Sequence, residues 1–183
     1  TFTMLQLAHA TATVANGGVA YRPHLGMFTT DVMTRERDPT VLEEPQNLGF
    51  KKANVDVIKR AMVGVTQGGT GTRVFAGARY VSGGKTGTAQ AVTIGQKDKY
   101  NSKKLEEHQR DHALYIAFAP AEDPRIAVAV IVENAGWGAG VAAPIARRVF
   151  DYWLNGEYPS EEDLTAVRKG QATAPIGKPR RVE

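Results

Sequence analysis

The most informative part of the sequence is the run Gly84-Lys85-Thr86-Gly87-Thr88-Ala89-Gln90, which follows Ser82-Gly83 and continues into Ala91-Val92-Thr93-Ile94. A cation, two hydroxyls and a glycine stand together at the beginning of a segment that is typical of a β-strand. Side chains alternate along a strand, so Lys85 and Gly87 should point to one face while Thr86 and Thr88 point to the other. Such a strand edge can hold a carboxylate and pair with an extended peptide. A simple turn entering a strand can have a similar sequence, so the role of the run depends on its context.

The rest of the chain predicts an α/β (α+β) fold in which an antiparallel sheet is flanked by helices. Apolar residues at helical spacing predict three helices, over Thr3–Asn16, Ala53–Thr66 and Ala139–Leu154. The first strand lies within Arg79–Ile94, and two more are predicted over His112–Ala119 and Ile126–Val132. The last of these is apolar throughout, which is typical of a central strand buried on both faces. The turn at Asp123-Pro124 joins the last two strands as an antiparallel hairpin.

Four further expectations follow from the same patterns. The first and last helices should cover one face of the sheet, because each carries an apolar stripe. The pair Arg147-Arg148 should lie on the outer side of the last helix. The segment Thr29–Phe50 is polar and should form a small hairpin at most, and the run Gln67-Gly68-Gly69-Thr70-Gly71-Thr72 predicts a flexible break.

The composition excludes several kinds of site. The 183 residues include no cysteine, so disulfides and cysteine-zinc sites are ruled out, and the four histidines show no metal-ligand spacing. We therefore expect neither a metal nor a cofactor. The net charge is +4, but no aromatic residues interleave with the basic tail and no recognition helix is visible, which disfavours nucleic-acid binding. The sequence contains no run of about 18 apolar residues, the length that would predict a membrane-spanning helix.

Three other segments support an interpretation of the central run as a family motif. They are Thr3-Met4-Leu5-Gln6-Leu7-Ala8 with the following Ala15-Asn16-Gly17-Gly18, then Asp111-His112-Ala113 with Ala117-Phe118-Ala119-Pro120, and Ala127 to Asn134. Together with Gly-Lys-Thr-Gly-Thr-Ala-Gln they resemble the class B penicillin-binding transpeptidases, most closely the cell-elongation type called penicillin-binding protein 2. Met4 stands where that family often has proline. The resemblance covers about Thr1–Leu154 and implies the penicillin-binding/β-lactamase-like transpeptidase fold.

The resemblance assigns roles to the residues of the run. It implies that Lys85 supports carboxylate binding and proton transfer beside the nucleophile, and that Thr86 and Thr88 bind the terminal carboxylate of the substrate. The backbone N–H of Thr88 would be one of two oxyanion donors. Gly87 would give clearance to the substrate, and Gln90 would line the site. Lys85 and Thr88 are thus the catalytic candidates, and Thr86, Gly87, Thr88 and Gln90 the substrate-binding candidates.

The family's nucleophile is not visible in this sequence. The family needs Ser-x-x-Lys and Ser-x-Asn, whereas the chain has three serines, Ser82, Ser102 and Ser160. Ser82 and Lys85 match Ser-x-x-Lys literally, but the two glycines between them disfavour the helix that this motif opens. We therefore expect residues 1–158 to be the C-terminal part of a transpeptidase domain whose nucleophile lies upstream. We expect 159–183 to be a disordered tail with a short helical start at Glu161–Val167.

The implied function is that of a peptidoglycan D,D-transpeptidase, which cross-links stem peptides by serine acyl transfer and is acylated by β-lactams. Its implied partners are the upstream part of the domain and a membrane glycosyltransferase of the elongation machinery, at the periplasmic face of the bacterial inner membrane. Two alternatives in the same superfamily stay open, a non-catalytic sensor domain that binds β-lactam or peptidoglycan, and a β-lactamase. By the resemblance, the loop around Trp137 lies near the active-site cleft, although Trp137 could equally be a simple loop anchor.

Two unrelated readings are disfavoured. A P-loop needs a glycine five residues before Gly84, where Arg79 stands, and a helix after it, where a strand is predicted. A catalytic triad drawn from Ser102, His108, Asp111 and His112 would lie in one charged loop with no packing pattern to hold it.

Overall fold

The computed structural model describes residues 2–92, 105–169 and 180–181. Its helices are α1 (Met4–Ala15), α2 (Lys52–Gln67), α3 (Thr72–Phe75), α4 (Ala142–Asn155) and α5 (Glu161–Arg168), with a 3-10 turn at Glu107–Gln109. Its strands are β1 (Val19–Ala20), β2 (Phe28–Thr30), β3 (Arg37–Pro39), β4 (Gln46–Asn47), β5 (Gly83–Ala89), β6 (His112–Ala119), β7 (Ile126–Val132), β8 (Glu157–Tyr158) and β9 (Arg180–Arg181). The mixed α/β architecture is the one that the sequence predicts, including a small hairpin formed by β2 and β3.

The main sheet has three antiparallel strands in the order β5-β6-β7, which confirms the predicted hairpin and its direction. Within the described residues, Ile126–Val132 is an edge strand, not the central strand that the sequence predicts. The central strand is β6, in which Ala113, Tyr115 and Ala117 are fully buried. β7 is half-buried along most of its length, and Ile131 is 37% exposed. Within the described residues, β7 has a strand partner on one side only, so its continuous apolar run does not mean burial on both faces.

The two faces of the sheet are covered by different helices, so the expectation that α1 and α4 share one face is wrong. On one face, Tyr115 of β6 belongs to the same buried cluster as Phe75 of α3 and Phe150 of α4. On the other face, Ile116 of β6 lies with α1 and α2 around one apolar cavity. The alternation of side chains along β6 produces this arrangement, because consecutive large residues of a strand point to opposite faces.

The start of α1 is fixed by a capping box. The Thr3 hydroxyl accepts a hydrogen bond from the backbone N–H of Gln6 at 3.2 Å, and the Gln6 side chain accepts one from the backbone N–H of Thr3 at 2.8 Å. A helix start leaves four backbone N–H groups without a partner inside the helix. The capping box satisfies two of them, those of Thr3 and Gln6. Helix α1 therefore begins at Met4, and its Leu7 and Val14 line the cavity next to the sheet.

A buried ion pair joins α4 to the segment that leads into β5. Arg147 donates from Nε to both carboxylate oxygens of Asp151 at 2.8 Å, and from Nη1 to the carbonyls of Val74 and Ala76 at 3.0 and 3.2 Å. The Tyr80 hydroxyl donates to Asp151 at 2.9 Å. Burial, followed by the nearby Asp151 carboxylate, raises the pKa of Tyr80, so the hydroxyl keeps the proton that it donates. Arg147 is 7% exposed, which corrects the expectation that it faces outward.

The beginning of the expected tail is ordered and docked on α4. The Ser160 hydroxyl caps α5 by accepting from the backbone N–H of Asp163 at 3.1 Å. Asp163 is 1% exposed and accepts two hydrogen bonds from the guanidinium of Arg148, one of them at 2.6 Å. The short helix predicted at Glu161–Val167 is therefore present, as α5 (Glu161–Arg168). Residues 170–179 and 182–183 of the tail lie outside the described residues.

The buried ion pair gives the first testable prediction. Arg147→Met should lower the free energy of unfolding by about 3–5 kcal/mol, because it leaves the buried Asp151 carboxylate without its cation. The measurement is urea denaturation of the protein that carries this chain. The matched control is Lys52→Met, which removes an exposed pair with Asp56 at the same spacing along a helix and should have little effect. Equal effects of the two substitutions would contradict the role given to Arg147.

Candidate active site

The candidate site is built on β5, whose residues alternate between the two faces of the sheet as predicted. In the register with β6, Lys85 lies opposite Ile116 and Thr86 lies opposite Tyr115. Lys85 therefore lies on the face covered by α1 and α2, and Thr86 and Thr88 lie on the α4 face. β5 pairs with β6 on one side only in the part of the chain that the structure describes, so its outer edge is not paired with another strand there.

Lys85 stands at the rim of an apolar cavity with its charge toward solvent. The side chain is exposed, and Nζ donates to the carbonyl oxygen of Thr86 at 2.5 Å. The cavity has a volume of about 400 Å³, and the side chains around it include Leu7, Ile58 and Met62. Across residues 2–92 and 105–169, no carboxylate forms an ion pair with Lys85. The charge of Lys85 is therefore not neutralised by a carboxylate of the described residues, and it can attract an anionic ligand.

The hydroxyls of the run lie on the opposite face of the same strand. Thr86 is half-buried, and its Oγ1 lies 3.2 Å from Oγ1 of Thr70, which belongs to the turn between α2 and α3. Thr88 is exposed, and Gln90 follows the end of β5 and is exposed as well. β5 thus brings Lys85, Thr86, Gly87 and Thr88 together along about 10 Å of strand, at roughly 3.3 Å per residue.

The glycines of the run differ in how closely their surroundings approach. A Cβ at Gly87 would meet only the Cβ of Leu114, at 3.3 Å. A Cβ at Gly84 would lie 2.1 Å from the Tyr115 hydroxyl and one at Gly83 would lie 2.6 Å from the Phe118 ring, so the start of β5 leaves no room for a side chain. Reasoning from the motif singled out Gly87 and missed Gly84, since the constraint comes from a side chain 31 positions away.

The loop between β7 and α4 lies directly against the motif strand. A Cβ at Gly138 would lie 2.4 Å from the Leu114 carbonyl oxygen and 2.5 Å from that of Gly87. Trp137, the preceding residue, is 62% exposed. The loop is therefore adjacent to the site, as the resemblance implied, and the exposed indole stands beside it rather than anchoring the loop in the core.

Ser82 is placed where it cannot act as the nucleophile of a Ser-x-x-Lys motif. It is 1% exposed, and it directly precedes a strand rather than opening a helix. Three residues of extended chain separate Ser82 from Lys85 by roughly 10 Å, whereas three residues of helix would put them on one face. The rejection of this serine is consistent with the geometry.

Gly84, Lys85 and Thr86 lie within a strand rather than before a helix, so the P-loop reading is wrong. Of the imagined triad, Ser102 lies outside the described residues, and His112 accepts a hydrogen bond from the backbone N–H of Asn134 through Nδ1 at 2.9 Å.

No group of acidic and histidine side chains suited to a metal ion occurs among the residues described. In the same part of the chain, no helix has the length and apolar character to cross a bilayer.

The tight contact at Gly138 gives the second prediction. Gly138→Ala should lower the free energy of unfolding by about 1–3 kcal/mol, because the added methyl meets two backbone carbonyls that cannot rotate away. The control is Gly64→Ala, on the exposed side of α2, where a Cβ meets nothing within 4 Å. That change should be neutral or stabilising by up to about 1 kcal/mol, since alanine favours the helix. Equal melting curves for the two variants would show that the loop is not held against β5.

Comparison with known proteins identifies the family. The sequence matches the family described as "Penicillin binding protein transpeptidase domain" over residues 1–151. It is 39% identical to the peptidoglycan D,D-transpeptidase MrdA of Haemophilus influenzae over 88% of this chain and 25% of that protein. It is 45% identical to the MrdA of Acinetobacter baumannii over 84% of this chain and 22% of that protein. The chain thus spans about a quarter of the length of these relatives.

Solved structures agree with this relationship. The structure of Pseudomonas aeruginosa PBP2 matches with a TM-score of 0.64 at 38% identity, covering 84% of this chain and 31% of that one. The ceftriaxone acyl-enzyme of penicillin-binding protein A from Mycobacterium tuberculosis matches with a TM-score of 0.68 at 31% identity, covering 84% and 33%. The resemblance predicted from the sequence is therefore confirmed, and the chain belongs to the penicillin-binding protein transpeptidase family, with relatives of the MrdA, or PBP2, type.

Proposed function

We propose that this chain supplies the carboxylate-binding wall of a peptidoglycan D,D-transpeptidase. The observation that carries the proposal is the arrangement on β5, where Lys85 and two threonine hydroxyls lie along an unpaired strand edge, without an acidic partner for Lys85 among the described residues. An edge with this chemistry suits a peptide that ends in a carboxylate. The named activity of the matched relatives, peptidoglycan D,D-transpeptidase, agrees with that ligand.

The proposed reaction is serine acyl transfer. A serine oxygen forms a bond to the penultimate carbonyl carbon of the stem peptide, the amide C–N bond breaks, and the terminal D-alanine leaves with a proton on its nitrogen. The amine of a second stem peptide then attacks the ester, which forms the cross-link and releases the serine. A β-lactam undergoes the first step through its own amide bond, and the adduct persists.

Each residue of the wall has a defined part in this scheme. The Thr86 and Thr88 hydroxyls donate to the terminal carboxylate and so fix the scissile bond along the strand. Lys85 contributes positive charge where the carboxylate and the developing oxyanion lie, and supports proton transfer beside the serine. The backbone N–H of Thr88 is one donor to the oxyanion. Gly87 keeps the strand free of a side chain where the substrate passes, and Gln90 lines the end of the site.

The nucleophile comes from outside these 183 residues in this proposal. Residues 1–158 form the C-terminal part of the transpeptidase domain, and a preceding part of the same protein supplies Ser-x-x-Lys and Ser-x-Asn. Two observations support this. The apolar cavity of about 400 Å³ opens beside Lys85, where another segment can bring a serine within reach. The outer edge of β7 is unpaired in the described part of the chain and carries the partly exposed Ile131, so it can accept a further strand.

The same proposal places the protein in cell-wall synthesis. A peptidoglycan transpeptidase acts at the periplasmic face of the inner membrane, where its substrate is assembled, and a membrane glycosyltransferase that makes the glycan strands is the fitting partner. The two alternatives in the superfamily are outcomes of the assay. A stable adduct without cross-linking would indicate a sensor domain, and rapid release of hydrolysed penicillin would indicate a β-lactamase.

The third prediction tests Lys85. In the transpeptidase that carries this chain, Lys85→Ala should slow acylation by labelled penicillin on the order of 10²–10³-fold, the usual effect of removing an electrostatic group from a preorganised site. Stability should change little, because the side chain is exposed. The control is Lys169→Ala at the exposed end of α5, which should leave acylation unchanged. Acylation within a few-fold of wild type, together with a sharp loss of stability, would make Lys85 structural.

The fourth prediction concerns the missing serine. The 183-residue chain alone should form no covalent adduct with a labelled penicillin, since it lacks a serine in a nucleophile context. Co-expression with the preceding part of the protein should give a complex that is acylated on a serine outside these residues. Mass spectrometry of the intact chains distinguishes the two cases. An adduct on Ser82 would overturn the assignment.

A further inference from the structure

The turn between α2 and α3 is tightly built, although its sequence predicts a flexible break. The backbone N–H of Gly71 donates to the Val65 carbonyl at 2.9 Å, and the Thr72 hydroxyl donates to the Gly69 carbonyl at 2.9 Å. A Cβ at Gly69 would lie 2.9 Å from the Cα of Val65, so the glycine is required for the chain to fold back this closely. The turn therefore holds the intervening Thr70 in a defined place.

Two contacts attach this turn to the motif strand. At its start, the Thr66 hydroxyl donates to the Ser82 carbonyl at 2.6 Å in a buried position. Four residues later, Oγ1 of Thr70 lies 3.2 Å from Oγ1 of Thr86, four residues beyond Ser82. The end of α2 and its turn thus run beside the strand, and Thr70 is the residue whose side chain reaches a hydroxyl of the Lys-Thr-Gly motif.

We propose that Thr70 is a positioning residue that acts through Thr86, an inference that rests on the proposed function. A hydroxyl has one proton to donate and two lone pairs to accept with. A carboxylate can only accept hydrogen bonds, so the Thr86 hydroxyl must donate its proton to the hydrogen bond with the substrate. Thr70 then donates to a lone pair of Thr86, which orients the Thr86 hydroxyl and strengthens it as a donor, because hydrogen bonds in a chain polarise one another.

A purely structural role for this contact is disfavoured by its surroundings. Thr70 is exposed and Thr86 is only half-buried, so the hydrogen bond between them exchanges readily with water in the free protein. The turn is already held by the Gly71, Thr72 and Thr66 contacts, which do not involve the Thr70 side chain. Loss of the Thr70 hydroxyl should therefore be felt in carboxylate binding and not in folding.

The test is a double-mutant cycle in the transpeptidase that carries this chain, with the rate of acylation by labelled penicillin as the readout. Thr70→Val should slow acylation about tenfold, the effect of losing one net hydrogen bond. Thr70→Ser should restore the rate to within about threefold of wild type, since it keeps the donor. In the Thr86→Val background, Thr70→Val should have no further effect, because residues that act as a unit are not additive.

Controls separate the possible failures. Thr165→Val, at an exposed position of α5, should leave acylation unchanged, and the melting temperature of Thr70→Val should equal that of wild type. An additive effect of Thr70→Val in the Thr86→Val background overturns the inference, as does a lack of rescue by serine. A Thr70→Val variant that is acylated at the wild-type rate also overturns the inference. If Lys85→Ala is slow in the same assay, the proposed function still holds. A wild-type protein that penicillin does not acylate overturns both.

Discussion

The pairing of β5 with β6 is the constraint on which the other features of the site depend. This register puts Lys85 opposite Ile116 and Thr86 opposite Tyr115, and so distributes the cation and the hydroxyls between the two faces of the sheet. A shift by one residue would exchange the faces and carry Lys85 toward the buried Tyr115 cluster. The register is held by shape, because Gly84 is the residue that leaves room for the Tyr115 hydroxyl. The same register therefore fixes both which residues of β6 are buried and on which face each polar residue of β5 lies.

The local elements of the fold and the antiparallel hairpin of β6 and β7 could be predicted from the sequence, but the middle strand and the helices on each face of the sheet could not. The helical periodicity of α1, α2 and α4 and the β-branched run of β7 each report on neighbours a few residues away. Which strand has partners on both sides depends on pairing between distant segments, so the apolar run of Ile126–Val132 did not reveal that β6 is the middle strand of the described sheet. Arg147 was misplaced for a related reason. Its partners at Val74 and Ala76 lie more than 70 positions away, and together with Asp151 they satisfy the buried guanidinium.

The candidate site likewise has a part that could be predicted from the sequence and a part that could not. The candidate residues from Lys85 to Gln90 could be proposed from the sequence, because the motif is contiguous and the family resemblance assigns a role to its residues. The elements around it reach the strand from elsewhere in the chain. Gly138 touches the Gly87 backbone from a loop 51 residues later, and Thr70 touches Thr86 from a turn that its glycines marked as flexible. A cluster of glycines can mean freedom or close approach, and only the contacts decide between them.

The two outer edges of the sheet differ in a way that bears on their use. An open strand edge can pair with another chain, so proteins keep such edges polar or cover them. The β5 edge carries Lys85 and two threonines, which resist non-specific pairing yet suit an anionic peptide that lies along the strand. Because the cation and the hydroxyls lie on opposite faces, only a ligand at this edge can reach both. The β7 edge is apolar and offers no such protection. An edge of that kind is suited to pairing with another strand, so under the proposed function one side of this sheet binds a transient ligand and the other a structural partner.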